Sequence, residues 1–476
     1  MGSVGLSFGS PTSGQGFDVS TTVSAIVANL QAVETPWKNQ LTTLQSEDTA
    51  LTGIGTDLSS LSTALNSLTD FEGTFAEKEG SSSDTSVVAL TNATSAAVAG
   101  SHTIVVSQLA QTFSYASSAV NSSDTLGGTL TIGSQDITIS DGTAVDPGSG
   151  DTIPQNNTLS TLASYINSGD YGVQANVVSV GSGQSELTLV SSTSGAAGSA
   201  AIDASQLSDA TTNSSTAGTV TFGQQQKGQD AQYSVDGLPT MTSSSNTVTT
   251  AIPGVTMQLL EAAPSESVQV EITNNNSDVE SAVNTFVNAY NTVVSDLNTQ
   301  EGSTSSGTPE PLYGNSTMAL LQEQLQQAIT FTQSSGAITS LSQLGITPST
   351  NNDGTLTLDT STLDSALNSN YQDVTNFFQA SSGDTSFGTN LTSTLSNLGN
   401  SGPNGAIYLA LEQDSTQESD LNTNITNENN TISTEQTQLT TELNEANYTL
   451  QEIPSQIDEV NELYSAITGY NEDTSG

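Results

Sequence analysis

Apolar residues recur at three- and four-residue steps from near the start of the chain: Val19, Val23, Ile26, Leu30, Val33, Trp37, Leu41 and Leu44, then Leu51, Ile54, Leu58, Leu61, Leu65 and Leu68. Such spacing puts them on one face of a helix and predicts helix over about 50 residues. Asp18 or Ser20 can cap its start, and Pro36, the only interruption, predicts a kink or a restart. From about 83 to 272 the period changes to two. Stretches such as HTIVVSQLA, GTLTIGSQDITIS, VQANVVSV and SELTLVSS, separated by Gly, Asp and Ser, read as short antiparallel strands. One helix-like island, LSTLASYINSG at 159–169, lies among them, TAVDPGSGDTIPQNN at 143–157 reads as a long exposed loop, and GQQQKGQ near 225 reads as a joint between two sub-sections.

Helical spacing returns at 278–298, where Val279, Val283, Phe286, Tyr290, Val293 and Leu297 step by four and three. A Gly/Ser/Pro-rich loop, a helix through MALLQEQLQQAITF, a small hairpin in GITPSTNNDGTLTLD and one or two short helices in STLDSALNSNYQDVTNFFQ follow. In the last segment every seventh residue from Ile425 is apolar: Ile425, Ile432, Leu439, Ala446, Ile453, Val460 and Ile467. A companion series, Asn429, Gln436, Leu443, Leu450, Ile457 and Tyr464, is polar at first and apolar afterwards. Together they form a heptad seam, loosest at Asn429 and Gln436 and strongest towards its end, with Pro454 expected to kink or restart it. Each terminal seam needs an apolar partner. The economical arrangement pairs Val19–Leu44 with the C-terminal helix; the alternative gives each a partner on another subunit.

The expected fold class is therefore α+β: a long helical, coiled-coil leg from both termini, a helical-bundle domain, and inserted antiparallel β head domains. The expected division is 1–75, a disordered start and N-terminal helical leg; 83–125 with 228–272, an inner β head domain; 126–227, an outer β insert; 276–400, a helical domain with a small hairpin; and 405–476, the C-terminal leg.

Charge alters the picture. The 476 residues carry 49 Asp and Glu but only three Lys and Arg, which are Lys38, Lys78 and Lys227, for a net charge of −46. Charged residues make up 11% of the chain, against a typical ~25%. The anomaly is missing bases, not excess acid. Ion pairs cannot organise such a chain, and nucleic acid and anionic membrane surfaces repel it. With a sequence pI near 4.1, it suits an acidic exterior. Carboxylates crowded by carboxylates are expected to have raised pKa values, so their contribution to stability is present at low pH and fades as pH rises. There is no cysteine. The N-terminus has neither the basic region nor the apolar core of a cleaved secretory signal, and no apolar run reaches transmembrane length.

Catalytic patterns are weak. His102, the only histidine, sits on a probable strand without a nucleophile beside it in sequence. GLSFG at 5–9 matches a nucleophile elbow around Ser7 but follows no strand. NNDG at 351–354 resembles part of a calcium loop, yet alignment on Gly354 puts Ser349 and Thr360 where carboxylates belong, so a plain turn is expected. Glu442 and Glu445 read as a solvated helix face. The sequence shows no metal cluster or phosphate loop, and it argues against an enzyme and for no cofactor.

Three blocks carry a resemblance. FDVSTTVSAIVANLQAVETPWKNQLTTLQ, with Glu34 and Pro36 near its middle, is similar to the start of bacterial flagellar filament cap proteins, also called flagellar hook-associated protein 2. QDAQYSVDGLPTMTSSSNTVTTAIPGVTMQLLEA with SAVNTFVNAYNTVVSDLN resembles that family's central signature and following helix. PLYGNSTMALLQEQL joined to LSQLGITPSTNNDGTLTLDTSTLDSALNSNYQDVTNFF resembles its third block. TLGGTLTIGSQDITIS with TLSTLASYINS looks like an insert repeat shared with flagellins and hook proteins. The family's terminal helices are usually rich in Arg, Lys and Glu, where this chain has Gln, Asn and Thr.

The resemblance implies an extracellular ring homo-oligomer at the flagellum tip, its legs in the filament end and its β heads forming the outer plate. It would retain exported flagellin, shelter its folding and shift as each subunit is inserted. Hook–filament junction proteins and an export chaperone are further implied partners, and the flagellar type III apparatus the implied export route, through an uncleaved N-terminus. The seams then supply candidate oligomer and filament-interface residues: Val23, Ile26, Leu30 and Trp37 at one end, and Leu443, Leu450, Ile457 and Tyr464 at the other. The alternatives are a surface adhesin with a glycan-binding β head and an unrelated coiled-coil-stalked protein.

Overall fold

The computed structural model describes residues 16–146, 148–211, 218–379, 385–399 and 401–469. The expectations for the first fifteen residues, Ser7 included, lie outside them. Among the described residues there are eight α-helices: α1 (Val19–Gln31), α2 (Thr35–Thr69), α3 (Leu159–Ser168), α4 (Asn276–Gln300), α5 (Ser316–Ile329), α6 (Thr360–Phe378), α7 (Phe387–Leu398) and α8 (Ala406–Thr468). All strand pairings are antiparallel, and the fold class is α+β as expected. The chain separates into a helical unit, Met1–Asp70 with Asp278–Gly476, and a β unit, Phe71–Ser277.

In the helical unit the periodic residues do become the core. Leu51, Leu58, Leu61 and Leu65 of α2 and Val283, Phe286, Tyr290 and Val293 of α4 are almost wholly buried. Asp18 caps α1, accepting a hydrogen bond from the Thr21 amide. At Pro36 the helix restarts: a 3-10 turn, Ala32–Glu34, ends α1, and the proline occupies the first turn of α2, where its missing N–H has no helical partner to lose. Pro454 behaves otherwise. The 63-residue α8 continues through it, so the expected restart is not present. One lost hydrogen bond in a helix roughly 95 Å long is outweighed by the bonds on either side.

The hairpin forms from Ile346–Pro348 and Leu356–Leu358, and α6 is two short helices merged across a non-helical Asn370. The pattern reading contains no helix at 387–398, where the structure has α7. Its first residue, Phe387, stacks on Phe377 at 5.2 Å and meets Phe286 and Phe378 edge-on at 6.0 and 5.9 Å, joining α4, α6 and α7. Beside it Gly388 has no room for a side chain: a Cβ would collide with the Phe378 carbonyl and with Thr69.

The β unit has two cores. One is built from residues 87–110 and 231–272 and includes Val88, Ile104, Val106, Tyr233, Val270 and Ile272. The other lies between Phe113 and Val220 and includes Leu162 and Ile166 of α3 with Leu187 and Leu189. The expected boundary at 125/126 therefore falls inside the second core, because Phe113 and Val120 pack there. The joint is narrower than GQQQKGQ: Phe222–Gln226 is a strand paired with Ser114–Ser117. The crossing is instead made at Gln111 and Gln229, whose backbones bond each other in both directions. The 143–157 segment is not wholly exposed. Asn156, fully buried, accepts from the Ser140 amide at 2.6 Å and donates to the Thr138 carbonyl.

Phe387→Ala should destabilise the helical unit by about 3–5 kcal/mol, since no neighbour can fill the space at the junction of three helices. Urea unfolding followed at the single Trp37 measures this, and a loss below about 1 kcal/mol contradicts the role given to the ring.

Candidate functional site: the paired terminal helices

α8 packs along both α1 and α2. At one end the Phe17 amide donates to Asn447 Oδ1 at 2.8 Å; further along, Asp48 faces Asp414. Moving forward from Phe17 to Asp48 thus moves backward from Asn447 to Asp414, and the arms run antiparallel. The stripe facing the other arm includes Ile407, Leu421 and Ile432, all buried, and the half-buried Ile425, Leu439, Leu443 and Leu450.

The candidate interface residues fall into two groups. Val23 is buried, and Ile26, Leu30, Trp37, Leu443 and Leu450 are half-buried, all on the paired helices. Ile457 and Tyr464 are 39% and 60% exposed, with Val460, Leu463 and Ile467 between 61% and 75%. The expected gradient of the seam is thus reversed within one chain. Ile432 is buried to 4% exposure between the exposed Asn429 and Gln436, so those polar residues lie off the packed stripe and do not loosen it. Among the described residues the uncovered part is the apolar end from Ile457 onward. Pattern reading finds which side chains are apolar but not how far the opposite arm reaches.

The outer faces are held without ion pairs. Ten threonines of α8 return their hydroxyl to the carbonyl four residues earlier, as Thr42, Thr43, Thr49, Thr56 and Thr63 do in α2. Among the described residues the one lysine ion pair joins Lys38 Nζ to Glu34 Oε2 at 2.6 Å, with Glu34 fully buried at the α1–α2 junction.

The expectation of raised carboxylates holds only at helix contacts. Burial pushes Glu47, Asp48, Asp57 and Asp414 upward. At turns the reverse occurs: Ser and Thr hydroxyls and backbone amides hold Asp84, Asp141, Asp203 and Asp353 below the usual range. The other singled-out residues are structural. His102 Nδ1 lies 2.8 Å from Asp236 Oδ2, 349–355 is the hairpin turn, with Asn352 and Gly354 at positive φ, and Glu442 and Glu445 are exposed. Among the described residues no group of three or more acidic or His side chains is placed to hold a metal, and no helix is long and apolar enough to cross a membrane.

Lys38→Met should cost the leg roughly 1–3 kcal/mol by leaving the buried Glu34 carboxylate without its cation, and adding Glu34→Met should recover most of that loss. Denaturation of the single and double variants, read at Trp37, tests it; an equal loss in both contradicts a paired role.

Family models described as the N-terminus and the C-terminus of flagellar hook-associated protein 2 match residues 15–113 and 228–459. Flagellar hook-associated protein 2 of Escherichia coli O157:H7 is 30% identical over 429 residues, covering 81% of this chain and 84% of that protein. The A-type flagellar hook-associated protein 2 of Pseudomonas aeruginosa is 29% identical over 402 residues, covering 77% and 80%. Among solved structures, the D1-D2-D3 domains of the flagellar cap protein FliD from Escherichia coli match with a TM-score of 0.52 and 25% identity, over 77% of this chain and 99% of that one. These matches take in the terminal helices as well as the β strands. The chain belongs to the flagellar hook-associated protein 2 family.

Proposed function

We propose that this chain caps the distal tip of the bacterial flagellar filament, outside the cell, as a ring of identical copies. It retains exported flagellin and promotes its folding and insertion. It works through surfaces rather than covalent chemistry. It reaches its place through the flagellar type III apparatus with its N-terminus uncleaved, and meets the hook–filament junction proteins and an export chaperone on the way. Family membership supports the capping role. None of the relatives named above is described as an adhesin.

The observation that carries the reading is the uncovered end of α8. Ile457, Val460, Leu463, Tyr464 and Ile467 leave a line of large apolar side chains in water at the end of an otherwise paired leg. Exposed apolar stripes of this kind mark interaction sites. A neighbouring copy or a filament subunit would cover it, and Ile457 and Tyr464 are the contact residues of first choice. Val23, Ile26, Leu30, Trp37, Leu443 and Leu450 serve it by holding the leg together.

Two double variants separate these roles. Leu443→Asp with Leu450→Asp should open the leg, because each lost burial removes about 1.5–3 kcal/mol. Ile457→Asp with Tyr464→Asp should leave the leg folded, judged at Trp37. Both should fail to restore filaments in a deletion strain and should leak flagellin monomer into the medium. Full filaments and normal motility with the Ile457/Tyr464 pair would overturn the surface assignment. A deletion strain that still builds filaments without leakage would overturn the capping role.

A further inference from the structure

We infer that the leg contains a proton lock: α2 is joined to α8 and to α4 by carboxyl pairs that each share a proton, and the joints loosen when those protons leave. Asp414 of α8 is 7% exposed and lies within hydrogen-bonding reach of Asp48 of α2. Glu47 of α2 and Glu418, one turn along α8, face the same group. Asp48 Oδ1 and Glu418 Oε1 are buried with no hydrogen-bond partner. α5 and α7 also pack against this end of α8, where Ser316, Thr317, Leu320 and Asn397 line the adjoining groove; none of these is titratable. Lys38, the one lysine of the helical unit, is held by Glu34. A second carboxyl pair, the half-buried Asp57 of α2 and the exposed Asp296 of α4, forms the other joint, and Asp296 is the titratable group acting on Asp57.

Two carboxylates cannot hydrogen-bond each other, because ionised carboxyls only accept; one of the pair must keep its proton. The chain has three lysines and no arginine, and among the described residues no lysine pairs with a carboxyl of either joint. Burial first, and then the neighbouring carboxylates, push Asp414 up to about 6. Burial, and then Asp296, push Asp57 up to about 6. A carboxyl raised in the folded state stabilises that state below its unfolded pKa near 3.8 and loses that contribution as pH climbs through the folded value. Both joints therefore close in acid and weaken between about pH 4 and 6. The lowered aspartates at turns respond in the opposite direction, so the effect belongs to these joints and not to the chain at large.

The direction suits a protein handed from a near-neutral interior to an acidic exterior: slack before export, locked after it. That consequence rests on the export reading above, whereas the lock does not. The test is hydrogen exchange of the purified full chain near pH 4.5 and pH 7.5 in the presence of a chelator, corrected for the intrinsic pH dependence of exchange. Protection in 44–58 and 407–421 should fall by about tenfold or more at the higher pH, since each raised carboxyl links roughly two pH units to the folding equilibrium. In Asp57→Asn with Asp414→Asn, an amide takes the place of each protonated carboxyl and still donates, so protection should hold at both pH values. Equal protection of the unaltered chain at both pH values would overturn the lock, whether or not the double variant folds. So would an unchanged pH response in a folded double variant. Neither flagellin nor a cell enters this measurement, so a failed lock leaves the capping role untouched, and the reverse.

Discussion

Three lysines stand against 49 acidic residues, and every other feature of the molecule adjusts to that shortage. Helices that would elsewhere be decorated with Glu–Lys pairs are covered with Thr, Ser, Asn and Gln, and the threonine hydroxyls donate to carbonyls four residues earlier. At turns, aspartate carboxylates accept from nearby amides and hydroxyls instead of from lysine or arginine. Where two helices must meet through acidic positions, a shared proton or the single Lys38–Glu34 pair takes the part of a cation. Association between arms is left to apolar packing, which is indifferent to charge and to salt.

That division bears on the surface proposed for the ends of the chain. The N-terminal helices cover part of α8 and leave its last turns bare. One long helix therefore has a segment packed within the monomer, around Leu421 and Ile432, and a segment from Ile457 onward that the described residues leave exposed. The proposed capping role calls for both properties: a rigid arm and an adaptable apolar end. Large apolar side chains at that end allow contact without demanding a fixed partner of opposite charge.

Much of this was legible in the residues. The α1–α2 face, the restart at Pro36, the six stepping residues of α4 and the hairpin around NNDG follow directly from periodicity and turn chemistry. The interface candidates were recognisable as apolar, but their split into paired and uncovered groups was not, because burial depends on where the other arm ends. The boundary at 125 failed for a related reason: the strand at Ser114–Ser117 looks the same whichever core it joins, and only its partners in the second core assign it. Pro454 does not divide α8, since the hydrogen bonds on either side carry the 63-residue helix past one missing donor. α7 carried an ordinary signal at Phe387, Leu391, Leu395 and Leu398, passed over beside a Gly/Ser-rich stretch.

The central claim is that the two ends of one chain pair with each other. Because the protein has no cysteine, Phe17→Cys with Asn447→Cys provides a clean pair of reporters at the point where α1's leading residue meets α8. Short thiol cross-linking of the dilute double variant should give a single internally linked chain at high yield, with little dependence on protein concentration. Linked dimers that rise with concentration, with no internally linked monomer, would show that each end takes its partner from another subunit and would contradict the account.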